Sequence, residues 1–451
     1  MINCKKQFKG KKITIMGLGI LGRGLGYTKF LAECGADLIV TDLKLKEQLK
    51  TSLKELSKFK NIKYVFGRHR LEDFRNRNII MKAPAVPLDS IYIKEAKKHN
   101  IPVEMDVSLF AKCAPKVIII GVTGTRGKSM VTALIYEILN KNKRFFKHDV
   151  CIGGNVRGVA TLPLLKKIKA GDILVCELDS WQLQGFGDDK ISPHISVFTS
   201  FMPDHMNYYK NDMKKYFEDK ENIFKYQEKG DVLIIRPGVK KLILKNKNIK
   251  SKVITINRKN IEKYDFSVLG KFQQENLACA VEVAKLFKIP DSRISKAVKN
   301  FRGLEGRLQY LKTIKGVKIY NDNNATTPEA SMAGIEALSI SSRQGLAKKI
   351  ILISGGADKN LPLDNFAKVI NKYCKAVFMI PGTGTDILLE KYKLKILNEI
   401  GKNLKDVVQK AIKYAKNGDI ILFSPAFASF GMFNNEYDRG DQFLEIIKKL
   451  K

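Results

Sequence analysis

The chain has 451 residues, 44% of them hydrophobic and 28% charged, a globular balance for about three domains that excludes a disordered tail, a collagen-like fibre and a disulfide miniprotein. Lys+Arg 81 against Asp+Glu 45 leaves a formal net charge of +36. The basic residues are mostly lysine and scattered along the whole chain, so they read as a solvated coat that helps anionic nucleotide ligands approach, with no dedicated nucleic-acid binding. The cysteines, at 4, 34, 113, 151, 176, 279 and 374, are odd in number and form no CxxC. Reduced, buried thiols of a cytoplasmic protein are expected, with no disulfide frame and no zinc site. No apolar run approaches the roughly 18 residues of a membrane span, and the N-terminus lacks a signal-peptide core, so no membrane insertion is expected.

Residues 11–17 predict a buried strand, followed by the turn Gly17-Leu18-Gly19-Ile20-Leu21-Gly22, a helix, and a second strand at 37–41 ending on Asp42. Glycines there allow a tight turn and close approach of a phosphate to a helix N-terminus. An acidic residue twenty positions on can bind a ribose or base edge. The alternative is a glycine turn that only packs helix on strand. A new strand at 116–121 opens a second unit and runs into Gly121-Val122-Thr123-Gly124-Thr125-Arg126-Gly127-Lys128-Ser129, then a helix over 128–141. A phosphate loop needs backbone amides round the phosphates, a lysine on the β/γ oxygens and a hydroxyl on Mg²⁺. Lys128 and Ser129 fit, although Val122 stands where the strict pattern has glycine.

Strands at 172–177 and 194–199 carry Glu177 and Asp204-His205 at or just beyond their carboxyl ends, where α/β sheets place ligands. Glu177 has the chemistry to hold Mg²⁺, and His205 to hold a second ion or a substrate; each is equally an ordinary polar loop residue. The segment 214–228 predicts a helix whose apolar stripe, Tyr216, Phe217, Ile223 and Phe224, includes Lys220. A lysine on such a stripe either snorkels to water or is functional, burial favouring the neutral amine that can take up CO₂ as a carbamate. A helix is predicted at 272–288 and a boundary at Asn300-Phe301-Arg302-Gly303. Beyond it come strands at 316–321, 349–354, 375–380 and 419–423. Thr327 and Pro328 suit an N-cap and first helical position, with Asp322 nearby for a ribose. Gly355-Gly356-Ala357-Asp358-Lys359 and Ser424-Pro425-Ala426-Phe427-Ala428-Ser429 are loops after strands that suit a carboxylate.

As an ordered set these motifs resemble the Mur ligase family over essentially the whole chain. Thr123-Gly124-Thr125-x-Gly127-Lys128-Ser129, Gly153-Gly154-Asn155, Asp204-His205, Asn276 and Arg307 resemble its ATPase core. Asn321-Asp322-x-x-Ala325-Thr326, the loop ending at Lys359, the loop ending at Ser429, and Arg439-Gly440 resemble the branch that adds D-glutamate. The resemblance implies an α/β protein of three domains. A Rossmann-like N-terminal domain (1–112) would hold the UDP precursor, a central P-loop ATPase with a mostly parallel sheet (113–301) ATP, and a Rossmann-like C-terminal domain (302–451) the amino acid. It implies an ATP-dependent amide ligase joining D-glutamate to UDP-N-acetylmuramoyl-L-alanine through an acyl phosphate, in peptidoglycan precursor synthesis. A sister ligase with another acceptor or precursor is the alternative. A monomer using ATP and Mg²⁺ is implied.

Carried over residue by residue, the resemblance places Gly124, Thr125, Gly127, Lys128, Ser129, Asn276, Arg307 and Asp322 with ATP. Ile20, Leu21, Asp42, Asn155, Gln182 and His205 go with the UDP precursor, Asp42 at the uracil. Thr326, Lys359 and Ser429 go with the amino acid. Ser129, Glu177, His205 and a carbamylated Lys220 go with the metal, and Lys128, His205 and Lys220 with catalysis. The chain departs from the family at Asp179, Ser200, Asn324 and Glu436. The last stands where an aromatic residue is usual near the amino acid, and it either repels a dicarboxylate, pairs with Arg439, or merely starts a surface helix.

Overall fold

The computed structural model describes residues 6–450 apart from 21, 85, 88, 207, 267, 269 and 342–347. The candidate Leu21 and the cysteine at position 4 therefore lie outside the described residues. The described chain builds three sheets. The first contains β1 (Lys12–Met16), β2 (Asp37–Asp42), β3 (Ile62–Phe66), β4 (Ile79–Lys82) and β5 (Val103–Glu104), in the order β3-β2-β1-β4-β5. All its pairings are parallel. The second contains β6 (Ile118–Thr123), β7 (Val150–Gly154), β8 (Ile173–Glu177), β9 (Ile195–Phe198), β10 (Val232–Ile235) and β11 (Lys252–Thr255), in the order β11-β10-β9-β6-β8-β7. It too is parallel throughout.

The third contains β12 (Gln309–Ile314), β13 (Val317–Asn321), β14 (Ile350–Gly355), β15 (Cys374–Ile380), β16 (Leu397–Ile400) and β17 (Ile420–Phe423), in the order β12-β13-β17-β14-β15-β16. Only β12 runs antiparallel, on the edge. Side chains alternate across a strand, and helices on both faces demand apolar residues on both. In β14, Ile350 and Leu352 pack with Phe366 and Ile370 on one face. Ile351 and Ile353 pack with Val407, Val408 and Phe443 on the other. Each such fully buried side chain contributes about 1.5–3 kcal/mol.

The chain forms two compact units. One takes the chain up to Tyr264 together with Glu275–Val298, and so holds the first two sheets; the other takes Asp265–Gln274 and the chain from Lys299 on. The chain crosses between the units three times, after Tyr264, Gln274 and Val298. The excursion at 265–274 was not foreseen. Its cause is local packing: Phe266 stacks on Phe301, and Gly270 lies against Ala337. The helix expected at 272–288 is Lys271–Leu286, and that expected at 214–228 ends early, as Met213–Glu221. Past Glu221 the backbone tightens into turns such as Phe224 N–H to Glu221 O, and Ile223 and Phe224 enter the core from there. Among the described cysteines, Cys34, Cys176, Cys279 and Cys374 are buried, while Cys113 and Cys151 are only half-buried, short of the expectation.

Candidate active site

The phosphate-loop motif lies between β6 and the helix Lys128–Lys141, at the carboxyl end of the second sheet. Two glycines shape it. Gly124 has φ +136, and a Cβ there would lie 2.1 Å from Thr199 Oγ1; Gly127 has φ +91 at the helix N-cap. The residues after β9 stitch the loop down. Thr125 N–H donates to Ser200 O (2.7 Å) and Arg126 N–H to Ser200 Oγ (2.8 Å). Thr199 Oγ1 reaches both Thr123 O (3.0 Å) and Arg126 O (2.6 Å). Ser200, a position where the chain departs from the family pattern, thus pins the loop. Sequence reasoning missed Thr199; a hydroxyl directly after a buried strand was the only signal.

Two lysines meet on this loop. Lys128 Nζ donates to Gly124 O and Thr125 O, both at 3.1 Å. Lys220 Nζ donates to the same Gly124 O at 2.9 Å. Lys220 is 1% exposed and lies over the Tyr216 ring, so it does not snorkel. Burial first, then the neighbouring Lys128 charge, holds its amine well below the usual lysine range.

Glu177, at the end of β8, is buried and accepts from Asn155 Nδ2 at 3.4 Å. Asp179 N-caps the helix Ser180–Asp188 by accepting from Gln182 N–H at 2.8 Å, which accounts for the acid beside Glu177. Gln182 is buried, and among the described residues neither its side-chain Oε1 nor its Nε2 has a hydrogen-bond partner. A buried carboxamide in that state is costly without a ligand or water. His205 has φ +54 and packs its ring 4.6 Å from that of Trp181. Burial, partly opposed by Asp204, lowers its imidazole below the ordinary range and leaves a nitrogen lone pair for a cation or substrate.

The Gly-rich turn after β1 is closed by Asp42. Its carboxylate accepts from Gly19 N–H and Lys44 N–H, both at 2.9 Å. Ile20 and Leu43 stand exposed on either side, an apolar edge suited to a flat base. Arg23, at the start of the following helix, donates to Asn155 Oδ1 at 2.8 Å and so ties the turn to the Asn155–Glu177 contact. Asn276 adjoins Gly127: a Cβ on that glycine would lie 2.7 Å from Asn276 Oδ1.

In the second unit, loops after β13, β14 and β17 converge. Ala426 N–H donates to Ala325 O, and Ala357 and Ala428 exchange a bridge pair. This gathers Thr326, Lys359 and the buried Ser429 on loops joined to one another. Thr327 Oγ1 accepts from Ala330 N–H as Pro328 opens the helix Pro328–Ser341, the expected helix start. Asp322 accepts from Leu308 N–H and Ser424 Oγ, both at 2.9 Å, and burial pushes its carboxyl up to about 7. Arg307 stands close enough to oppose that shift. Arg439 is wholly buried and donates to Asn323 Oδ1, Asn323 O and Phe427 O. Its hydrogen bonds bind loops together, and the Glu436 charge lies close enough to favour the guanidinium. Glu436 is the first residue of the helix Glu436–Lys449, half-exposed, as the surface-helix reading expects.

Comparison with known proteins decides the family. The family models described as "Mur ligase MurD-like, N-terminal domain", "Mur ligase middle domain" and "Mur ligase, glutamate ligase domain" match residues 11–104, 122–265 and 306–427. The chain belongs to the Mur ligase family. Within this family it is MurD-like. It is 35% identical to the UDP-N-acetylmuramoylalanine--D-glutamate ligase of Borreliella burgdorferi strain B31, over 98% of this chain and 99% of that protein. It is 32% identical to the ligase of the same name from Roseiflexus sp. strain RS-1, with the same coverage. The Mur ligase fold is seen in the crystal structure of UDP-N-acetylmuramate-alanine ligase MurC from Thermotoga maritima, at TM-score 0.63 and 17% identity, covering 98% of this chain and all of that one.

Proposed function

We propose that this chain is an ATP-dependent amide ligase that joins D-glutamate to UDP-N-acetylmuramoyl-L-alanine, a cytoplasmic step of peptidoglycan precursor synthesis. The precursor's terminal carboxylate attacks the γ-phosphorus of ATP, giving an acyl phosphate and ADP. The amine of D-glutamate then attacks the acyl carbon, and phosphate leaves the tetrahedral intermediate as the amide forms. Residues 1–112, 113–301 and 302–451 are assigned to precursor, ATP and amino acid in turn.

The protein's work is positioning and charge neutralisation. Gly124, Thr125 and Gly127 shape the loop for the phosphates, and Lys128 neutralises the β/γ oxygens. Asn276, Arg307 and Asp322 hold the nucleotide. Ile20, Asp42, Asn155 and Gln182 hold the precursor, with the unpartnered carboxamide of Gln182 available to it. Thr326, Lys359 and Ser429 hold D-glutamate.

The donors near the loop fit Mg²⁺: a buried carboxylate on Glu177, a neutral imidazole on His205 and the Ser129 hydroxyl. Among the described residues no group of three His, Cys, Asp or Glu side chains stands ready for a metal. Glu177, His205 and Ser129 would hold Mg²⁺ together with phosphate oxygens and water. The Lys220 amine combines with CO₂, releasing a proton, to give a carbamate that supplies the missing anionic oxygen. When bound, Mg²⁺ shields the phosphate charge during transfer.

The observation that carries this reading is the contact of the buried Lys220 amine with Gly124 O inside a phosphate loop. It is tested by phosphate release across a panel of UDP-muramoyl precursors and amino acids. UDP-N-acetylmuramoyl-L-alanine with D-glutamate is expected to give the highest kcat/KM. A sister precursor or another amino acid at the top would replace the substrate assignment.

A further inference from the structure

Arg236 directly follows β10, at the same end of the second sheet as the phosphate loop, and nothing in the sequence singled it out. It is only 8% exposed. Its Nη2 donates to Asn276 Oδ1. Its Nη1 lies 3.5 Å from Glu275 Oε2, and the guanidinium also meets the Cys279 thiol. Its Nε is buried with no hydrogen-bond partner among the described residues. A Cβ on Gly127 would lie 3.0 Å from Arg236 Nη2 and 2.7 Å from Asn276 Oδ1. The Arg236–Asn276 pair is therefore the wall behind the glycine that closes the phosphate loop.

Packing alone is a poor reason for this residue. Arginine keeps its charge, so burying it with a loose carboxylate partner and an unfilled donor costs more than an apolar side chain of similar size. The guanidinium does two things an apolar residue cannot. By holding Oδ1 it settles which way the Asn276 carboxamide faces, and it sets positive charge against the corner where Gly127 turns into the helix. We propose that Arg236 is a positioning residue of the nucleotide site, fixing Asn276 and the Gly127 corner in the form that receives a nucleoside di- or triphosphate. This rests on the reading of the loop as the ATP site.

The test is calorimetric binding of ADP and, separately, of UDP-N-acetylmuramoyl-L-alanine to the full chain. Wild type, Arg236→Gln, Asn276→Ala and the double variant are compared. Wild type is expected to bind ADP, and Arg236→Gln to bind it about tenfold or more weakly, the scale of one lost charged hydrogen bond. Precursor affinity should not change, and the double variant should lose less than the two single losses combined, because both act on one contact. Equal ADP affinity in wild type and Arg236→Gln overturns the proposal. So does an equal loss of precursor affinity, which would mark a general structural role. Wild type that binds no ADP overturns the nucleotide reading itself, and the proposal with it. If Arg236→Gln does not fold, Arg236→Lys keeps the charge but cannot fork between Asn276 and Glu275; the same loss of ADP affinity is expected, and unchanged affinity overturns the proposal.

Discussion

At the scale of single residues, the shared Gly124 carbonyl organises the expectations. Two amines share one oxygen, and burial, with the Lys128 charge beside it, lowers the pKa of the Lys220 amine. Lys128→Ala should retain the fold and lose kcat by on the order of 10²-fold or more, as for other groups that stabilise transferring phosphoryl charge. Steady-state turnover of a variant shown folded by circular dichroism checks this. Lys220→Ala should be nearly inactive and partly rescued by acetate, a small carboxylate able to replace the carbamate. Full activity of wild type in CO₂-free buffer would contradict the carbamate. Asp322 gives a pH expectation. Its folded-state pKa, about 7, lies above the usual carboxylate value, so the folded chain holds that proton more tightly. Its contribution is complete below about pH 4 and is lost as pH rises through about 7. Asp322→Asn should therefore flatten the fall in Tm across that window, seen by thermal melts at several pH values.

At the scale of elements, the phosphate loop is a strand, a turn and a helix held by a second strand's tail. Gly124→Ala should cost a few kcal/mol, because φ +136 is strained for any Cβ and the new atom meets Thr199 Oγ1. Urea midpoints should fall and ADP binding should vanish. Gly238→Ala, with open space around it at the start of the helix Pro237–Ile243, should leave both unchanged. The same element shows what the sequence could reveal. β6, β14 and β17 were legible because central parallel strands are apolar on both faces. β3 and β16 were not, since edge strands facing water, such as Leu397–Ile400 with every residue exposed, carry no apolar run. Lys128, Glu177 and His205 were legible from their place after strands. Whether Lys220 was buried or snorkelling was not, because that depends on Tyr216 and the distant Gly124 loop closing over it. Arg236 was invisible for the same reason: its partners, Glu275 and Asn276, stand about forty positions away and meet it only when β10 and the helix Lys271–Leu286 pack.

At the scale of the whole molecule, one unit, with two sheets, carries the precursor candidates and the phosphate loop with Asn276, and the other carries the amino-acid candidates together with Arg307 and Asp322. The high net charge suits a protein whose proposed nucleotide and precursor substrates are anions. Glu436, an acid that would oppose a dicarboxylic acceptor, is half-exposed and opens the helix Glu436–Lys449. Glu436→Phe should accordingly change kcat/KM for D-glutamate by less than about tenfold, or 1.4 kcal/mol. The central claim is that ATP activates the precursor's own carboxylate. The most direct test is to label both oxygens of that carboxylate with ¹⁸O and run the complete reaction with ATP, Mg²⁺ and D-glutamate. Attack on the γ-phosphorus followed by displacement must leave one ¹⁸O in the released phosphate and one in the new amide carbonyl. Phosphate released without label, at the rate at which amide forms, would contradict the account.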